Sequence, residues 1–248
     1  VSAVLCHVYG VIASTARLPD GLTGRLARPV RRVEADGLAV LVSDVEEDAR
    51  VRRADLLAHA HLLEAVAAET TVVPVRFGVI VPDDDTVRSE FLVNQRDHLL
   101  GLLQAFDGCV QVTVHATYDE EAALREVLRR DPDLAAFRAS VDPADQAAQI
   151  RLGEAVGSAL ATLREDAEHT VVEWLRPYAL AASINDVRGA YDVASVALLV
   201  RREDRARVDA AVGDLDRQVA GQMSLRYVGP QPPYAFLDHV ELQEESWA

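Results

Sequence analysis

An Asp-Gly pair at 36–37 stands between two short apolar runs, Val30 to Ala35 and Leu38 to Asp44. Both residues of such a pair tolerate positive φ, which a two-residue hairpin turn requires, so the chain is expected to reverse there and lay the two runs side by side. A hairpin alone is not stable in water. The β-branched and aromatic run Ala3 to Ala13 is expected as a central strand of the same sheet, ended by the turn-rich piece Leu18 to Pro29. That opening run carries His7 and Tyr9 and no basic leader, so a strand suits it better than a signal peptide.

Further along, Ala54, Leu57, Ala58, His61, Leu62, Ala65 and Val66 recur at three- and four-residue steps, which predicts a helix from Arg52 to Glu69. Thr71 to Val79 is expected as a strand, and Pro74 inside it implies an edge or a bulge because proline cannot donate to a ladder. Pro82 and Asp83-Asp84-Asp85 open a second predicted helix reaching Phe106, and Cys109 to Thr117 alternates as a further strand. This order describes an α+β domain over residues 1–118, a ferredoxin-like plait with an extra strand and helices on one face of an antiparallel sheet.

After Tyr118 the texture becomes alanine-rich helix, broken at Asp131-Pro132 and Asp142-Pro143. A long helix is expected to begin at Pro143, with Ala148, Leu152, Ala155, Ala159, Leu163 and Ala167 as a narrow seam for close packing. Strands are expected at Tyr178 to Ile184, Tyr191 to Val200 and Met223 to Val228, with a helix from Glu203 to Ala220. Residues 119–229 therefore form a smaller, helix-rich α+β domain, and 230–248 a proline- and aromatic-bearing tail.

Charge narrows the chemistry. All 25 basic residues are arginine, which excludes a phosphate-loop lysine, a Schiff-base lysine and a pyridoxal anchor. Up to Tyr118, 11 arginines face 16 acids, and 14 face 24 after it, so neither half hides a basic domain and the chain carries −15 overall. Nucleic acid and anionic membrane are poor partners for such a surface. No apolar stretch approaches the roughly 20 residues of a spanning helix. Cys6 and Cys109 make neither a metal spacing nor a disulfide framework, so buried thiols in a reducing, cytoplasmic setting are expected.

No catalytic, metal or cofactor constellation assembles. His61 and Glu64 at i and i+3 offer two metal ligands where three or four are needed, and His59 is turned about 200° away on the same helix. Glu165 and His169 fare no better. The three aspartates at 83–85 sit where a helix cap is expected, and Cys6 and His7, adjacent on a strand, point to opposite faces.

Two segments invite a binding role. In TVVPVRFGVIVPD, Arg76 and Phe77 interrupt an apolar run; the arginine either bridges to Glu64 or Glu69 or meets a partner. In GPQPPYAFLDH, Pro230, Pro232 and Pro233 hold the backbone extended while Tyr234 and Phe236 supply large apolar anchors, as a strap between domains or as a partner-binding strip.

These segments carry a resemblance. HVYGVI, DGLAVLVSDV, HLLEAV followed by TVVPVRFGVIVPD, then VASVALLVRRED and YVGPQPPYAF, in order across nearly the whole chain, resemble the gas vesicle protein family GvpF/GvpL. The resemblance implies a two-domain α+β protein without enzymatic activity, a minor component or assembly factor of gas vesicles. It also implies contact with the hydrophobic shell protein GvpA and other accessory gas vesicle proteins. Arg76, Phe77, Pro232, Pro233, Tyr234 and Phe236 are then the expected partner-binding residues, with an edge strand or an interdomain groove capturing the shell protein by strand addition and apolar burial. The competing readings are a small-molecule-sensing regulatory domain, since ferredoxin-like plaits host many functions, and an unrecognised hydrolase.

Overall fold

The computed structural model describes residues 4–47 and 50–239; Ala3 and the tail beyond 239 lie outside it. The chain divides into two compact units, one of Val1–Val112, Leu199–Glu203 and Gly229–Ala248, the other of Thr113–Leu198 and Asp204–Val228. The sequence-based boundary at 118 falls six residues later than the first of these, because one strand begins in one unit and ends in the other. Residues 230–239, set apart in the sequence as a tail, fold into the first unit.

The first sheet holds β1 (Val4–Ala13), β2 (Arg31–Ala35), β3 (Leu38–Glu46) and β4 (Val73–Pro74) in the order β2-β3-β1-β4, with β5 (Ile80–Val81) also on β1. Every one of these pairings is antiparallel. Ala35 pairs with Leu38 across the turn, where Asp36 and Gly37 take φ of 48° and 86°, the conformation the Asp-Gly pair was suited to. Helix α1 (Arg53–Glu69) lays Leu62, Leu63 and Val66 against Tyr9, Ile12 and Leu41 to make the core. The strand order is that of a ferredoxin-like plait, with a loop and the 3-10 turn Arg25–Ala27 in place of the first crossover helix and β5 as the extra strand.

Two expected elements are broken up. In place of the single strand over 71–79 there is the short pairing β4, then a turn at Gly78 (φ 99°) and the second short pairing β5 just beyond 79; Pro74 sits at the sheet edge opposite Gly10, where a missing donor is tolerated. The single helix over 82–106 is α2 (Asp84–Val87), a π-helical turn (Arg88–Val93) and α3 (Arg96–Ala105). The wide turn frees carbonyls, and the Gln95 side-chain amide donates to one of them, that of Glu90, at 3.0 Å.

The strand at 109–117, expected in the first sheet, belongs to the second. There β6 (Cys109–Tyr118) lies between β8 (Asp192–Arg201) and β9 (Met223–Gln231), with β7 (Ala181–Asn185) outside β8. Val110, Val112 and Val114 are wholly buried, and Gln111 and Thr113 nearly so, which only a central strand permits. Three helices, α4 (Glu120–Arg130), α5 (Pro132–Ser140) and α6 (Gln146–Leu175), connect β6 to β7, and α7 (Arg205–Val219) connects β8 to β9. Asp119, Asp131 and Asp145 each accept a backbone N–H three residues on at 2.9 Å, starting the three helices. The small-residue seam packs as expected: Leu152, Ala155, Ala159 and Leu163 of α6 meet Ala123 and Val127 of α4. Strand β9 runs past its expected end at 228 through Pro230, because it is an edge strand and a proline there costs no ladder bond.

Candidate functional site

The site the sequence proposed around Arg76 and Phe77 lies on the 75–79 turn. Val75 N–H donates to the Tyr9 carbonyl at 2.8 Å and Val79 accepts from Val8 N–H at 3.0 Å, pinning both ends of the turn to β1. Arg76 points outward from this turn and makes no ion pair with a described residue, so the expected bridge to Glu64 or Glu69 is absent. The backbone has already left the ladder, and the guanidinium is solvated instead of buried. Phe77 turns inward, its ring 5.4 Å from that of His7 and 5.5 Å from that of His59.

Behind Phe77 lies a buried polar cluster that sequence reasoning did not assemble. His59 Nε2 faces the Val75 carbonyl at 3.0 Å and must donate to it, leaving His59 Nδ1 to accept from His7 Nε2 at 3.1 Å. His7 Nδ1 is then a bare lone pair, buried and without a hydrogen-bond partner among the described residues. A second proton would be stranded there. Burial first, then the nearby His59 and Arg25 charges, hold His7 at about 4, well below the ordinary histidine value, and burial lowers His59 as well.

Tyr9, at an irregularity in the β1–β3 register, reaches Ser43 Oγ and accepts the Arg25 N–H, both at 2.7 Å. Gly24 permits that approach, since a Cβ there would overlap the Tyr9 hydroxyl. Arg25, buried, pairs with buried Asp55 at 3.4 Å, and Asp55 also accepts the Arg52 N–H at the start of α1. Every member of the group is buried, and the bonds among them fix one arrangement of β1, α1 and the 75–79 turn. The only sequence signal for it was a pair of histidines in separate apolar elements, 52 residues apart.

The second predicted segment is packed into the first unit. Pro232, Pro233 and Phe236 are buried, and Tyr234 lies half-buried against the Tyr9–Ile12–Leu63 cluster. Ala235 N–H donates to Gln111 Oε1 at 2.9 Å. The structure therefore does not bring Arg76 and the 232–236 side chains to one exposed surface: Arg76 is outside and Phe236 is inside.

One surface that sequence reasoning did not single out has the features of a docking edge. Strand β7 ends its sheet, and its outer side pairs with no described strand. Its residues, Ala-Ala-Ser-Ile-Asn, carry no charge, and almost all are exposed. Ile184 is 51% exposed, with Leu180 at 55% beside it. An unpaired row of backbone donors and acceptors flanked by exposed aliphatic side chains is a template for another strand. Among the described residues no group of His, Cys, Asp and Glu could hold a metal, and no helix is long and apolar enough to cross a membrane.

Comparison with known proteins gives this fold a family. The model of the gas vesicle synthesis protein GvpL/GvpF family matches residues 5–238. The gas vesicle protein F of a Streptomyces species is 36% identical, over 94% of this chain and 99% of the relative. Crystal structures of GvpF from an Anabaena species and from Microcystis aeruginosa superpose with TM-scores of 0.77 and 0.76. Each is 23% identical, covering 95% and 94% of this chain and 96% and 98% of the respective structures. The chain belongs to the GvpL/GvpF family.

Proposed function

We propose that this chain is a non-enzymatic accessory protein of gas vesicle formation that holds the shell protein GvpA through the free edge of β7. A subunit destined for a water-excluding wall exposes apolar surface before assembly, and an acidic chaperone-like partner limits its aggregation by covering that surface. The observation that carries the reading is the uncharged, exposed edge at 181–185 with Leu180 and Ile184 beside it. Strand addition supplies backbone hydrogen bonds, and the two aliphatic side chains supply apolar burial. Arg76, on the outside of its turn, offers a separate polar contact for another accessory protein. Pro232, Pro233, Tyr234 and Phe236 act as a strap that keeps the first unit closed. The chain works in the cytoplasm and at the vesicle, with neither nucleic acid nor membrane as partner.

The test is association of the purified chain with GvpA, with the other accessory proteins supplied, under conditions where GvpA stays soluble. Binding is expected; its absence would remove this reading.

A further inference from the structure

On the second sheet, a cleft of about 410 Å³ is floored by β6, β8 and β9 and walled by the loop that follows β7. Its size falls in the range of small-molecule sites. Two arginines and a histidine line it. Arg188 on the loop and Arg226 on β9 both line it, and neither makes an ion pair with a described residue, in a chain with 40 acids for 25 arginines.

The side chain of His115, half-buried on β6, also lines the cleft and makes no hydrogen bond with a described residue. Burial and then the Arg226 charge lower its proton affinity, opposed by Asp192. Asp192 also lines the cleft: its Oδ2 accepts the Gly189 N–H at 2.8 Å and its Oδ1 accepts from Thr117 Oγ1 at 3.5 Å. That carboxylate builds the loop. Asn185 Nδ2 reaches the Ser195 carbonyl and hydroxyl at 3.3 Å, tying the loop's other end down. Three nitrogen-bearing side chains with unused N–H capacity therefore converge on a cleft whose wall is held by internal bonds. Asp186, on the rim, is the one carboxylate lining the cleft that has no described partner.

We propose that this cleft binds a small phosphate monoester, with Arg188, Arg226 and His115 around the phosphate and Asp186 accepting from a hydroxyl on the remainder of the molecule. Arginine suits a phosphate because its fork of donors matches two oxygens at once. The site needs only the second unit and is independent of shell-protein capture. Because its wall runs directly on from β7, an occupied cleft would also stiffen the end of the docking edge.

The experiment is calorimetric titration of the full chain at low ionic strength with ribose 5-phosphate, inorganic phosphate and ribose, alongside NMR titration of His115. Saturable binding of ribose 5-phosphate is expected, with inorganic phosphate severalfold weaker and ribose silent, and with the His115 pKa rising on binding because an anion offsets Arg226. Arg188→Gln and Arg226→Gln, both at exposed positions, are each expected to weaken binding at least tenfold with unchanged melting temperature. No saturable binding at millimolar ligand, or equal binding by the double variant, would overturn the site. Equal affinity for inorganic phosphate and the ester would overturn the assignment of Asp186 and of an ester ligand. None of these outcomes depends on GvpA.

Discussion

Strands β2 and β7 occupy the same place in their sheets, each outside the strand that follows it in sequence, yet they are finished differently. Strand β2 is guarded: Arg31 pairs with Asp44 and Asp84, and Arg32 donates to the carbonyls of Ser14 and Ala16. Charged side chains on an edge oppose further strand pairing. Strand β7 has no such protection and shows Ile184 to solvent. The first sheet also spends its buried polar groups on locking one conformation, through His7, His59, Arg25 and Asp55. One outer strand is sealed by charged side chains and the other is left open.

Substitutions in the sealed sheet should damage stability, and substitutions at the open edge should not. The largest effect is expected from Tyr234→Ala with Phe236→Ala, which removes one fully and one half-buried ring from the first unit, at about 5 kcal/mol by chemical denaturation. If stability held and partner binding vanished instead, the tail would be an interface and the comparison would fail. Next, Asp55→Ala removes the carboxylate paired with buried Arg25 and uncaps α1, at about 4 kcal/mol.

Acidification should cost somewhat less. With His7 held at about 4 against an ordinary 6.5, the unfolded chain binds a proton between those pH values that the folded chain refuses. The stability this group contributes is therefore full above pH 6.5 and falls toward pH 4, by about 3 kcal/mol if His7 acts alone. His7→Gln should flatten that slope in denaturation curves taken across the window; an unchanged slope would assign it to other groups. The smallest stability effect, under about 0.5 kcal/mol, is expected for Ala182→Lys with Ile184→Lys on β7, since both side chains are already exposed.

Much of the local structure was legible in the sequence because its causes are local. Asp36-Gly37 fixes the hairpin by φ, and the break at Asp131-Pro132 is a helix start, with Asp131 accepting the Leu134 N–H; the long helix, expected from Pro143, begins at Gln146, where Asp145 accepts the Ala148 N–H. The sheet to which β6 belongs was not legible, since an apolar strand does not name its neighbours. Nor was the His7–His59 pair, whose members meet only through the fold. Arg76 was misplaced for a related reason: TVVPVRFG has a strand's composition, and only the turn at Gly78 reveals that the arginine leaves the sheet. The β7 edge was visible as a strand, but its exposure depends on where β7 falls in the strand order.

The central claim rests on comparing GvpA association of the unaltered chain with that of the β7 double-lysine variant, in the presence of the other accessory proteins. Capture through the open edge predicts binding by the unaltered chain and at least tenfold weaker binding by the variant at equal melting temperature. Equal binding by the two would contradict it.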